Sequence, residues 1–251
     1  MILARISQHL RRQDWTAIAI EFVILVAGVF IGLQVNEWNE TRRDRAREHE
    51  YLVRIHADLH ATLERSGPAS SAAEWNVRRL ASQAIVLEAL RTGSLASADR
   101  EAFDEGLLLF GFVGSIDVRW SAVEELKSTG SMALVRDTAL RDMIGQTDAY
   151  ILRKAGISET FTGAINGYRL QVGPRFAVEE FSDWKGEDRG VALRYDLGTL
   201  ASDAAFTNAL TQIDALSRMK LLNADETYAQ VRRLHDAVSA RLGIDEPATD
   251  P

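Results

Sequence analysis

Residues 16–35 form an apolar run interrupted by one charge, Glu21, and no other feature of the 251-residue chain restricts its folding as strongly. At 1.5 Å rise per residue, a helix of this length matches the ~30 Å hydrocarbon core of a bilayer. The run is too long for the apolar part of a cleavable signal peptide. Gln34-Val35-Asn36-Glu37-Trp38, which follows, also offers no small-x-small cleavage site. The sequence therefore predicts a retained transmembrane anchor over 15–36, preceded by an amphipathic basic tail over 1–14.

The anchor has two unlike sides. Taking 100° per residue from Glu21, Ala17 falls at about −40°, Gly28 at about −20°, Gly32 at about +20°, Asn36 at about +60° and Asn39 back near 0°. Small and polar residues thus share one stripe, while Val23, Val26, Phe30 and Leu33 present bulk elsewhere. Gly28-Val29-Phe30-Ile31-Gly32 is a GxxxG, a spacing that lets two helix backbones approach closely, although it also recurs by chance in Gly-rich membrane helices. A carboxylate in hydrocarbon costs about 2.5–3.5 kcal/mol on insertion scales. Glu21 must therefore face a partner helix, take part in proton movement, or snorkel to the headgroups roughly 9 Å away near Trp15.

Glu21, Gly28, Leu33-Gln34, Asn36 and Trp38-Asn39-Glu40 resemble the N-terminal signature of an uncharacterised bacterial membrane family, DUF 6090. That signature reads Glu, six apolar residues, Gly, four apolar residues, then Leu-Gln-x-Asn-x-Trp-Asn-Glu. A second stretch, Ala122-Val123-Glu124-Glu125-Leu126-Lys127-Ser128-Thr129-Gly130 followed by Leu140-Arg141, is similar to the family's Glu-Glu-Leu-Lys-Ser-x-Gly segment. Together the two cover about a fifth of the chain. Gly32 stands where the family more often has Ala, which keeps a small residue there. The resemblance implies topology and architecture; the family has no assigned activity, so it carries no catalytic residues over.

After the anchor, helix predominates. No Gly or Pro lies between Leu33 and Ser66, and Leu52, Ile55, Leu59 and Leu63 recur at helical spacing, which predicts a juxtamembrane rod over 37–66 stopped by Gly67-Pro68. A second helix is expected near 69–91 with Trp75, Leu80, Leu87 and Leu90 inward, then a buried core segment within 99–113. Ser121 and Glu124 suggest a capping box for a short helix ending at Gly130, and Asp137 a cap for a long one. Leu140, Ile144, Thr147, Ile151, Ser158, Phe161, Ile165, Tyr168 and Val172 keep a near-heptad register. Within 202–242 a comparable stripe runs through Phe206, Leu210, Ile213, Tyr228, Val231, Leu234, Val238 and Leu242. Val118 and 191–197 are the only weak strand candidates. The expected fold is all-α: a transmembrane helix continuing into an antiparallel bundle over 69–243, with a long connection at 173–198 and a short tail over 244–251.

Composition narrows the function classes. A net charge of −7 without a basic stripe argues against nucleic acid, and with no cysteine, thiol catalysis and Cys-ligated zinc are excluded. No cofactor is implied. Arg5, Arg11 and Arg12 precede the anchor, while Arg42, Arg43, Arg45 and Arg47 follow it interleaved with acids. Together with the apolar face of Ile2, Leu3, Ile6 and Leu10, this favours the N-terminus inside and the large domain outside the cytoplasmic membrane. The expected partners are the bilayer, a second copy of the chain through the anchor, and another membrane protein.

Three features remain as candidates for chemistry. His49, His56 and His60 lie near one line of the first helix with Glu64 one turn on, and His56 and His60 have the i, i+4 spacing of two ligands of one metal. The same line borders the apolar stripe, so a half-buried structural face is the competing reading. Phe176, Phe181, Trp184 and Tyr195 mark the 173–198 connection either as a partner-binding tip or as a cap over the bundle end. No nucleophile elbow, phosphate loop or paired metal motif organises the Ser, His and Asp residues. These features predict a non-enzymatic, single-pass inner-membrane protein whose periplasmic helical domain serves protein interaction, scaffolding or sensing. The alternatives are an accessory subunit of an ion-driven membrane complex using Glu21, and a metal-dependent enzyme or metal sensor using His56 and His60.

The anchor stripe makes a measurable prediction. Gly28→Leu with Gly32→Leu should weaken self-association of residues 1–47 in a membrane two-hybrid reporter. Glu21→Gln should largely preserve the signal and Glu21→Leu lower it, by ~0.5–2 kcal/mol. Indifference to all of these changes would leave the anchor without an oligomerising face.

Overall fold

The computed structural model describes residues 15–181 and 190–244. α1 (Trp15–Ser66) is one continuous helix that carries the apolar run near its start and the charged rod sequence after it. Gly67 ends it where no side chain fits, because a Cβ would lie 2.8 Å from the Leu63 carbonyl oxygen and 3.3 Å from the Tyr228 hydroxyl. Residues as far as Tyr51 form one compact unit, and residues from Leu52 onward form the second.

In the second unit the end of α1 is followed by α2 (Ser71–Thr92), α3 (Arg100–Leu108), α4 (Ser121–Ser128), α5 (Thr138–Val172), α6 (Leu197–Ser202) and α7 (Ala204–Leu242). The fold class is all-α, as the sequence predicts. Among the described residues the one sheet is an antiparallel pair, β1 (Ala177–Phe181) with β2 (Val191–Arg194).

α5 and α7 form the long pair. Asn223 Nδ2 donates to the Lys154 carbonyl at 3.0 Å and Gln230 Nε2 to Thr147 Oγ1 at 2.9 Å. Numbering falls along one helix as it rises along the other, so the two run antiparallel. Each begins on an aspartate cap: Asp137 accepts from Leu140 N at 3.1 Å, and Asp203 from Ala205 N and Phe206 N at 3.0 Å each. The Arg175 guanidinium, 2.7 Å from Asp203, holds that carboxyl below its ordinary range.

The main core lies at one end of this pair, where Phe103, Leu107 and Phe110 meet Ile165, Phe206, Leu210 and Ile213. Gly111 makes this possible. It adopts φ +82°, and a Cβ would sit 2.5 Å from Ile213 Cγ2 and 2.8 Å from Ile165 Cγ2, so the chain leaving α3 touches both long helices with its backbone. At the other end the apolar stripes of α1, α4, α5 and α7 are buried through Leu59, Leu126, Ile144 and Leu234.

α4, which contains the Glu-Glu-Leu-Lys stretch, is clamped from two sides. Glu125 pairs with Arg54 of α1, and Lys127 with Asp148 of α5 at 2.6 Å; Trp120 Nε1 donates to Asp148 at 2.8 Å. The expected capping box at Ser121 is absent. Ser121 is the first helical residue, and its hydroxyl donates to Asp58 of α1 at 2.8 Å. Asp58 also accepts the Ala122 N–H at 3.1 Å, so a carboxylate from a neighbouring helix supplies the acceptor that a cap would have supplied.

α2 also departs from the expected inward stripe. Leu90 is buried, but the face turned inward is Arg79, Ser82, Gln83, Val86 and Ala89, with Leu80 and Leu87 half-buried. Arg79 can turn in because its guanidinium pairs with Glu105 of α3 and lies 5.6 Å from the Trp75 ring centroid. Gly106 brings α3 against α2 so closely that a Cβ would lie 2.7 Å from the Ser82 carbonyl oxygen. Gly145 and Gly163 of α5 are the opposite case, with nothing within 4 Å of such a Cβ. Gly145→Ala and Gly163→Ala should each stabilise the fold by about 0.5–1 kcal/mol, and Gly106→Ala should destabilise it by about 1–3 kcal/mol. The check is the urea midpoint of the detergent-solubilised chain.

Candidate functional site

The α5–α7 pair is apolar at its ends and polar at its waist. Between Ile144 and Ile165 on one helix and Ile213 and Val231 on the other, the buried positions are Thr147, Ser217, Asn223 and Thr227. Over this waist passes the segment leading into α4. Ser115, Ile116, Asp117 and Val118, with Ile151, Lys154, Ala155, Ser158, Glu159, Thr162, Asn223, Ala224 and Thr227, line a cleft of about 470 Å³. That volume falls in the range of small-molecule sites, ~300–1,000 Å³.

Hydrogen bonds in the cleft run in one sense. Thr162 Oγ1 donates to the Ser158 carbonyl and Thr227 Oγ1 to the Asn223 carbonyl, so both hydroxyls have spent their protons on their own helices. Asn223 spends an N–H on the Lys154 carbonyl, and its buried Oδ1 has no hydrogen-bond partner among the described residues. Lys154 pairs with Glu226, whose carboxylate holds the ammonium above the usual lysine range.

The histidines are brought together with a third that sequence spacing does not reveal. His56 and His60 of α1 meet His235 of α7, with ring centroids 4.6 Å (His56–His235), 5.8 Å (His60–His235) and 6.0 Å (His56–His60) apart. Interplanar angles of 12–30° show the rings stacked on one another. His60 Nε2 lies 3.4 Å from Glu64, and His235 Nδ1 lies 3.4 Å from Asp236. Among the described residues no group of three or more His, Cys, Asp or Glu side chains is placed to hold a metal ion. The arrangement is a packed contact between α1 and α7.

In the first unit, Gly28 and Gly32 are exposed with nothing within 4 Å of a Cβ, and Asn36 Nδ2 donates to Glu40 one turn on at 2.9 Å. The side chains of Ala17 and Glu21 lie outside the described residues. One helix near the N-terminus is long and apolar enough to cross a membrane.

Within the 173–198 connection, the described residues pair as β1 with β2. Leu193 is buried in the main core, and Phe176 and Tyr195 pack half-buried against it. Trp184 and the side chain of Phe181 lie outside the described residues. What fastens the strand pair is Asp104 of α3, 3% exposed, which accepts from Arg100 Nε and Leu193 N at 3.1 Å each and from the Tyr195 hydroxyl at 2.8 Å. Arg100 also stacks over the Tyr195 ring, 4.4 Å from its centroid, and donates to the Leu193 carbonyl at 2.7 Å. A buried aspartate on an otherwise apolar helix face was the available sequence signal for this node.

Comparison with known proteins returned no matching family model, no matching curated protein and no matching solved structure.

Burial, and then the bond to Asp104, push the Tyr195 phenol above its ordinary value of 10.0. The fold therefore favours the neutral phenol. This stabilisation is fully present below about pH 10 and is lost as the pH rises through the folded value, because the unfolded chain ionises first. Denaturation at pH 8.5 and at pH 10.5 should show a loss of stability that Tyr195→Phe reduces. The same variant should cost about 1 kcal/mol at pH 8.5, since Asp104 loses one donor.

Proposed function

We propose that the chain is a non-enzymatic, single-pass protein of the bacterial inner membrane whose helical bundle stands outside the cytoplasm and binds a protein partner or senses a ligand. One observation carries this reading. From Ile20 to Leu33 the large apolar side chains of α1 point outward, Phe22 at 66%, Leu25 at 66% and Phe30 at 64% exposure. A contiguous apolar surface of this kind has no stable place in water and matches a lipid environment in length. The resemblance to DUF 6090 supports the same topology. Gly28 and Gly32 leave room for a second helix backbone, which supports a homo-oligomer through the anchor. Because α1 runs on without a helix break into the second unit, the anchor and the bundle share one element.

Fusions to the C-terminus test the topology. Alkaline phosphatase should be active there and a cytoplasmic-folding fluorescent protein dark, and the chain should stay with membranes through alkaline carbonate washing. Cytoplasmic fluorescence would reverse the orientation, and release by carbonate would remove the anchor.

A further inference from the structure

We infer that the cleft at the waist of α5 and α7 is a binding site for a small alkylammonium ligand, such as a diamine or polyamine. The inference rests on the reading of the bundle as a ligand-sensing domain.

A cleft that had merely failed to close would be lined by whatever the neighbouring helices need for packing. This one presents acceptors. Asn223 is 7% exposed, its Nδ2 is committed to the Lys154 carbonyl, and its Oδ1 lacks a partner among the described residues. An amide oxygen left so in a close-packed interior costs about 1–3 kcal/mol unless something donates to it. Thr162 and Thr227 have turned their protons onto helix carbonyls, which leaves oxygen lone pairs for anything that enters. Asp117 and Glu159 add two carboxylates to the lining. Among the lining residues the one cation, Lys154, is neutralised by Glu226; Arg65, outside the lining, donates to the Asp117 carbonyl at 3.5 Å. Among the lining residues carboxylates therefore outnumber unneutralised cations, and Asn223, Thr162 and Thr227 contribute acceptor oxygens. The remaining walls, Ile116, Val118 and Ile151, are aliphatic.

The complementary ligand is a strong multiple donor with positive charge on a short aliphatic chain. A primary ammonium has three N–H donors and no acceptor, and its methylenes match the aliphatic walls. A carboxylate or phosphate ligand would meet Asp117 and Glu159 and would have to displace Glu226 from Lys154. An uncharged sugar could donate to these lone pairs but would bring no positive charge to meet Asp117 and Glu159.

Calorimetric titration of the whole chain in a nonionic detergent, at physiological salt, tests this with 1,4-diaminobutane, spermidine and succinate as probes. The expected result is saturable one-to-one binding of at least one amine and none of succinate. The double variant Asp117→Asn, Glu159→Gln, which keeps size and polarity, should weaken amine binding about tenfold. Glu101→Gln, an exposed carboxylate on α3 outside the cleft, should leave it unchanged. Absence of saturable amine binding up to about 10 mM, equal weakening by Glu101→Gln, an unaffected double variant, or tighter binding of succinate would each overturn the assignment. Because the titration uses solubilised protein, its outcome does not depend on which side of a membrane the bundle occupies, so a failure here and a failure of the topology fusions are distinct.

Discussion

The antiparallel contact of α5 with α7 is the interaction on which the rest of the second unit depends. Helices of this length gain little from propensity alone, and α5 carries several exposed glycines that weaken it further. They persist because each buries a long stripe against the other and against what packs over them. Once the pair exists, its two ends offer apolar surface that must be covered. One end receives α3 and the strand pair, and the other is buried where α1 and α4 lie. The short helices need the long pair more than it needs them. α4 has eight residues, too few to hold alone, and is kept in place by the burial of Ala122, Val123 and Leu126, with ion pairs to α1 and α5 on either side of it.

What was legible in the sequence was what periodicity encodes. The stripe from Leu140 to Val172 and that from Phe206 to Leu242 gave the long pair, Asp137 gave its cap, and Gly67 gave the end of the first helix, all within a few residues. In each case the local signal and the tertiary need agree. The apolar run at the start was equally plain because nothing else in the chain competes with it.

The failures share a cause: in each, a side chain finds its partner on an element remote in sequence. Arg79 turns inward on α2 because Glu105 and Trp75 receive it, which puts a charged residue on the same buried face as Leu90. Ser121 gives its hydroxyl to Asp58 and so does not cap its own helix. β1 reads as a charged loop edge because Val178-Glu179-Glu180 has little apolar alternation; it becomes a strand only when β2 pairs with it. His235 shows no spacing to His56 and His60, since it reaches them only through the packing of α7 on α1. The cleft was invisible for a related reason. Periodicity identifies apolar stripes, and this site lies where both stripes lapse.

That lapse has a physical consequence for how the bundle can respond. α7 borders the main core through Phe206 and Ile213, the cleft through Asn223 and Thr227, and the end of α1 through His235. At the apolar ends a sideways shift of α7 would open gaps beside residues such as Phe206 or Leu234, each 0% exposed, at a cost of several kcal/mol. At the waist the contacts between the two helices include hydrogen bonds and an ion pair, which a ligand or water can replace bond for bond. The waist is therefore held in part by exchangeable polar bonds, the ends by apolar packing. Because α7 meets α1 only a few helical turns further on, at His235, a rearrangement there is adjacent to the helix that leads back to the apolar run.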